Sequence, residues 1–362
     1  MTAEGQDLDL QRLAGKIVDD VDNLADQLVA VLFGRRADLA TRYGPEGREK
    51  CRTDHRYHLL YLANAIRRGS PALFVDYAVW LKTLLGGYGV PPQDLIDSLG
   101  TIEDLVAEID ASLAATVQRG YLEPALFQVA NTGAAGGFLG ESKTGEIASR
   151  YIQLLIQGQR NLAFQLIEDA LDAGMDLKAV YLKVLQPALW EIGRLWQVNQ
   201  LSVAQEHYVT AATQLLMARL HGRLFEAGQA RSLDRPRVIA ACCAGEQHEM
   251  GIRMITDFFE LADWDTQYLG GNVPTEALVD MLAGPEATVF CLSATIGYHL
   301  DEVAEVIQSV RARPSLDNVR IMVGGRPFNV DPGLYLKVGA DAHARDAEDA
   351  VSIAKGLIGR SV

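Results

Sequence analysis

From Pro236 onward, short apolar runs of strand length alternate with segments of helical period. Strand character falls at Val238–Cys242, Thr266–Leu269, Thr288–Ser293, Arg320–Val323 and Ala340–Ala344. Helical patterns lie between them, near Gly251–Leu261, Thr275–Leu282, Leu300–Val310 and Gly333–Val338, with Ala347–Leu357 after the last strand. This alternation implies a parallel sheet covered by helices on both faces. Five strands suit a flavodoxin-like order, in which ligands bind beyond the C-terminal strand ends.

Upstream the period is helical throughout. Val18, Val21, Leu24, Leu28, Val31 and Leu32 recur at helical spacing, and the pattern continues over His58–Ile66 and Pro71–Leu85. Pro92 opens another helix at its favoured first-turn position, and Ile102–Val117 reads as the last long stretch. The small residues of Asn131–Gly145 read as a connection, Lys143-Thr144 included, because no glycine precedes the lysine and no strand leads in. Ile147–Ile156, Asn161–Ala173, Leu177–Val198 and Ser202–Phe225 then make four helices with short joints, the signature of an antiparallel bundle. Asp176 is placed to cap the third, and Pro187 to kink it. The expected division is a helical domain over 1–130, a linker over 131–146, a bundle over 147–230 and the sheet domain over 231–362.

At 362 residues, 49% of them hydrophobic, the chain can bury two or three cores. A formal charge of −14 argues against a nucleic-acid partner. The N-terminus has no basic stretch followed by an apolar run, so neither a signal peptide nor a membrane span is expected, and cytoplasm is the expected location. No two of Cys51, Cys242, Cys243 and Cys291 form a CxxC pair; the last three sit in strand-like runs as small buried hydrophobes.

Chemistry gathers at the strand ends. The first strand runs into Ala244-Gly-Glu-Gln-His-Glu-Met-Gly251, the third ends in Ser293-Ala-Thr295, and the fourth in Gly324-Gly325. Alone, His248 is as well explained as a cap of the following helix. Taken together and in this order, these strand ends resemble the cobalamin-binding Rossmann-like domain of methionine synthases, corrinoid proteins and B12 photoreceptors. The resemblance implies that His248 replaces the cofactor's own base below the cobalt, making it the one metal ligand. It also implies that the displaced nucleotide tail enters the sheet edge beside Ser293, Thr295, Gly324 and Gly325. Glu246 stands where that family carries aspartate; a carboxylate two residues before the ligand can hold its other ring nitrogen. Gly251 lets the chain approach a bulky ligand closely.

In the bundle, Trp196 ends one helix and Glu206-His207 begin the next. They are readable as ordinary core and surface, yet their spacing resembles the helical cap of CarH-type adenosylcobalamin photoreceptors, with Gln197 where that pattern carries a histidine. The helices of 1–130 look globin-like, around Asp54-His-Arg-Tyr-His58 and Pro71–Trp80. The whole order of domains resembles photocobilins, which pair B12 with biliverdin. A bilin needs cations for its propionates and polar groups near its pyrroles, which Arg52, His55, Arg56, Tyr57, His58 and Tyr61 could supply, with noncovalent binding ahead of a Cys51 thioether. The other reading of this region is a dimerisation bundle.

Three functions are therefore in competition. The leading one is a light sensor binding adenosylcobalamin, paired with biliverdin, that signals through homo-oligomeric state or a separate effector. The alternative is a corrinoid methyl carrier serving a separate methyltransferase. A third is a module reporting cofactor abundance. An autonomous enzyme is not expected, since no triad, barrel or further metal-ligand cluster is legible.

Overall fold

Apolar side chains at three- and four-residue spacing organise the first 134 residues into one helical unit, and the rest of the chain forms a second. The computed structural model describes residues 3–133, 136–224, 235–283 and 289–359. The first unit holds α1 (Ala3–Asp19), α2 (Val21–Arg35), α3 (Asp38–Arg67) and α4 (Pro71–Gly87). It continues with α5 (Pro92–Ile109), α6 (Ala114–Val117) and α7 (Glu123–Asn131), the last two joined by a π turn over Gln118–Leu122.

Two expected helices are broken here. The pattern read across Val18–Leu32 divides at Asp20 between α1 and α2. The stretch Ile102–Val117 divides at Asp110, whose carboxylate accepts from the backbone N–H and hydroxyl of Ser112 and so stops the helix with a local turn. The 30-residue α3 is kinked where Gly44 adopts φ 62° ahead of Pro45. Pro71 and Pro92 stand in first turns, where a missing N–H costs nothing. Asp94 of α5 is buried and accepts from Arg36, Arg42 and the Tyr43 hydroxyl, tying α5 to the α2–α3 corner.

The second unit opens with α8 (Lys143–Ile156), capped by the Ser142 hydroxyl accepting from Gly145 N–H. Lys143-Thr144 therefore begin a helix and are not part of the connection. A side chain at Gly145 would strike the Gly140 carbonyl at 1.9 Å, so only glycine allows the incoming loop to cross there. Next come α9 (Arg160–Asp172), α10 (Leu177–Val180), α11 (Gln186–Gln197) and α12 (Val203–Leu220). Asp176 caps α10, accepting from Ala179 N–H, as expected. The single kinked helix expected over Leu177–Val198 is instead interrupted by a π turn at Tyr181–Leu185, which leaves Pro187 in the first turn of α11. A reciprocal capping box between Ser202 and Gln205 starts α12. Its expected end, Phe225, lies outside the described residues.

The sheet follows with β1 (Arg237–Cys242), β2 (Asp265–Gly270), β3 (Val289–Ser293), β4 (Arg320–Gly324) and β5 (Ala342–Ala344). All pairs are parallel, in the order β2-β1-β3-β4-β5, the flavodoxin-like topology expected. The expected start of the third strand, Thr288, lies outside the described residues. Its helices are α13 (Met250–Leu261), α14 (Thr275–Leu282), α15 (Leu300–Arg311), α16 (Arg326–Val330), α17 (Leu334–Val338) and α18 (Ala347–Ile358). Register places Cys242 beside Ser293, Ser293 beside Gly324, and Gly324 beside Ala344, so the ends of four strands form one straight edge.

Bundle and sheet share one unit because α13 serves both cores. Met250, Met254 and Phe258 lie in the bundle's apolar cluster, while Ile252 and Phe259 lie in the sheet's. Among the described residues, no helix is long and apolar enough to cross a membrane.

Candidate functional site

The loop between β1 and α13 is built around one carboxylate. Glu246 is wholly buried, and its Oε1 accepts from His248 N–H at 2.8 Å and faces His248 Nδ1 at 2.6 Å. Its Oε2 accepts from Thr295 N–H at 2.6 Å and from Ile296 N–H at 3.2 Å. The extra methylene of glutamate therefore reaches the ring and the end of β3 together. A carboxylate only accepts, so Nδ1 carries the shared proton and Nε2 is the outward nitrogen. The His248 side chain is 59% exposed, which leaves that nitrogen open to a ligand from the strand-end side.

The charges follow from this packing. Burial pushes the Glu246 carboxyl up, but the His248 ring, its backbone N–H and the Thr295 N–H more than offset that and bring it down to about 2. The Glu246 hydrogen bond in turn raises the imidazole above its ordinary value against the opposing effect of burial, and the charge of Glu206 adds to the rise.

The loop is clamped from both sides. Asn272, in a left-handed conformation just beyond β2, donates its N–H to the Glu246 carbonyl at 2.8 Å and accepts from Gly245 N–H through its side chain at 2.8 Å. On the β3 side, a Cβ at Gly245 would meet the His299 ring at 2.9 Å, so that ring packs directly on the backbone. His299 Nδ1 is buried without a hydrogen-bond partner. Gly251 is exposed, and a Cβ there would meet open space. Ser293 is buried at the sheet edge, with Thr295 half-buried beyond it. Gly325 has φ 104°, and a Cβ on it would strike the Ala294 carbonyl at 2.0 Å, so the β3 and β4 ends can close up only with glycine here. Gly324 is less tightly held, with its nearest neighbour, the Ala344 carbonyl, 3.3 Å from an added Cβ.

Sequence reasoning missed Asn272, His299 and Glu249. For Asn272 the available signal was the Gly270-Gly271-Asn272 run at the end of β2, a fourth strand-end turn on the same edge; His299 and Glu249 had none.

In the bundle, Trp196 is half-buried in the last turn of α11, and Gln197 is buried behind it. Glu206 accepts from the Thr210 hydroxyl at 3.1 Å and lies 3.4 Å from His207 Nε2, while the His207 ring is 73% exposed. Gln214, two turns further along α12, donates to Glu249 at 2.6 Å.

The six residues considered for a bilin divide into two groups. His55 and His58 are buried and linked: Tyr77 hydroxyl to His58 Nδ1 at 2.7 Å, His58 Nε2 to Ser98 at 3.3 Å, Ser98 to His55 Nε2 at 3.1 Å, and His55 Nδ1 to the Cys51 carbonyl at 2.8 Å. Because that carbonyl only accepts, one direction satisfies the whole chain: the tyrosine donates and both imidazoles are neutral. Tyr61 stacks on Tyr77 with ring centroids 3.9 Å apart. Arg52 pairs with Asp26 and Arg56 with Asp22, so both cations already face carboxylates, and Tyr57 is exposed. The three- and four-residue spacing of Arg52, His55 and Arg56 puts them near one another on α3, yet His55 is buried while the arginines reach the carboxylates of α2. Burial pushes the Cys51 thiol up to about 12, away from the thiolate a thioether-forming cysteine would use.

Comparison with known proteins bears on the second unit. Residues 236–355 match one family described as B12 binding domain, and residues 147–221 match a second family of the same description. A corrinoid protein of Desulfitobacterium hafniense is 21% identical over 58% of this chain and 95% of its own length. Dimethylamine corrinoid protein 3 of Methanosarcina acetivorans is 26% identical over 54% of this chain and 82% of its own. The monomethylamine corrinoid protein of Methanosarcina barkeri superposes with a TM-score of 0.52 at 21% identity, over 59% of this chain and 98% of that one, and shares the fold. The chain carries a cobalamin-binding module. An outward imidazole nitrogen with its partner nitrogen held, open space at Gly251 and an orphaned buried nitrogen on His299 suit that group.

Proposed function

We propose that this cobalamin-binding module holds its cofactor with the cofactor's own base displaced and His248 Nε2 below the cobalt, and that it carries the corrinoid to a separate methyltransferase. One observation carries the ligand assignment: the buried Glu246 carboxylate fixes Nδ1 of an exposed imidazole at the strand edge. The carrier role is supported by the relatives, which are corrinoid proteins matched over 82% and 95% of their own lengths. When bound, the cofactor supplies a cobalt–carbon bond that can pass on a methyl group or be broken by visible light. The chain's residues do the rest. Glu246 sets the tautomer and aim of His248, and Ser293, Thr295, Gly324 and Gly325 would line the slot for the displaced tail. His248→Ala loaded with aquocobalamin should lose the imidazole-ligated absorption spectrum and bind about tenfold to hundredfold more weakly. Retention of that spectrum would refute the assignment.

A second reading, a light sensor using adenosylcobalamin, is favoured by the arrangement of Trp196, Glu206 and His207 around the joint between α11 and α12, with Glu206 acting on His248. It expects illumination of the adenosylcobalamin-loaded protein to change both absorption and size-exclusion elution through a new oligomeric state. Carrier function expects no lasting change in elution. A bilin in the helical unit belongs to the sensor reading, and added biliverdin would then give a saturable red-shifted band.

A further inference from the structure

The residue after His248 holds the bundle to the loop that carries it. Glu249 Oε1 accepts from Gln214 of α12 at 2.6 Å, and Oε2 accepts from Gly271 N–H at 2.9 Å. Burial, and then the charge of this carboxylate, push the Tyr268 phenol up. Side chains at Gly270 and Gly271 would come within 3.1 Å and 3.4 Å of Glu249 Oε2, so the glycine pair is what lets the carboxylate lie in the β2 turn. One short side chain thus joins the helix bearing Glu206 and His207, the end of β2, and the loop bearing His248.

We infer that Glu249 is a positioning residue that couples the seating of α12 to the aim of His248. This rests on the reading of His248 as the lower ligand. A displacement of α12 that carries Gln214 away removes one anchor from Glu249, and the peptide between Glu249 and His248 transmits the change one residue to the ring. The polar bundle contact of Tyr181 to Asp257 at 2.7 Å lies about two turns further along α13, farther from the ring.

A charge swap in the full chain tests the coupling. Gln214→Glu sets two carboxylates against each other. Gln214→Glu with Glu249→Gln restores a donor and an acceptor, because the new amide oxygen can take Gly271 N–H while its nitrogen donates to the new carboxylate. Aquocobalamin is the probe, read by the histidine-ligated fraction of its absorption spectrum and by its dissociation constant, alongside amide hydrogen exchange of α12. The single variant should speed exchange in α12, lower the histidine-ligated fraction and raise the dissociation constant about tenfold, and the swap should return all three to within about threefold of the parent. Faster exchange in α12 with the ligated fraction and affinity unchanged would overturn the coupling, as would failure of the swap to restore them. If the parent protein itself shows no histidine-ligated spectrum, the ligand assignment fails instead, and the two failures are distinguishable.

Discussion

Glu246→Ala should cost the second unit about 3–5 kcal/mol, the range for breaking a buried, hydrogen-bonded charge. Three backbone N–H groups, those of His248, Thr295 and Ile296, and the His248 ring lose their common acceptor at once. The first three cannot all find water in the packed strand edge, so their desolvation cost is left uncompensated. For a unit of this size the midpoint of thermal unfolding should fall by roughly 8–15 °C. Glu246→Gln keeps one accepting oxygen and should lose about half as much, since an amide oxygen cannot serve the ring and the β3 end together. Calorimetry, with amide exchange over β1 and β3, measures both. A loss below about 1 kcal/mol in the alanine variant would mean that the loop is held by its β2 and His299 contacts instead.

The second large effect is expected in the helical unit. His58→Ala removes a fully buried ring and strands the Tyr77 hydroxyl and one arm of Ser98, for a cost of about 3 kcal/mol. Amide exchange in α3, α4 and α5 should accelerate roughly hundredfold if these helices open together. The same chain of bonds has a pH signature. Burial lowers His55 to about 4 and His58 well below its ordinary value, so folding keeps both neutral where the unfolded chain would protonate them. Stability is therefore whole above about pH 6.5 and falls as the pH drops below it, by up to about 1.4 kcal/mol per unit for each histidine. His58→Ala should flatten that acid slope by one proton. An unchanged slope would place the histidine protons elsewhere.

These two sites differ in how far the sequence revealed them. The strand-end residues were legible because each sits at a change of period, where an apolar run gives way to glycine or a polar residue, and chain order alone aligns such points on one sheet edge. Glu246 was legible as a partner of His248 by proximity in sequence, but its second pair of contacts, to the β3 end 49 and 50 residues away, was not. Gln214 and Glu249 carry no pattern of their own, since a lone glutamine on a helix and a lone glutamate in a loop look like surface. In the helical unit the spacing of Arg52, His55 and Arg56 placed them on neighbouring positions, yet helical geometry does not say which side the core occupies. Packing against Ser98 and Thr101 drew His55 inward.

By itself, then, the sequence determined the succession of a helical region, a bundle and a five-stranded parallel sheet, and the residues that would stand along that sheet's working edge. Hydrophobic period and strand-end punctuation are local properties, and they survive without knowledge of the partner surfaces. Only the tertiary structure decided that bundle and sheet share α13, that one buried carboxylate binds His248 to the neighbouring strand, and that the histidines of the helical unit are closed into a neutral hydrogen-bonded chain. Each of those depends on which side chains meet across long stretches of chain, and burial sets the cost of leaving such groups unpaired.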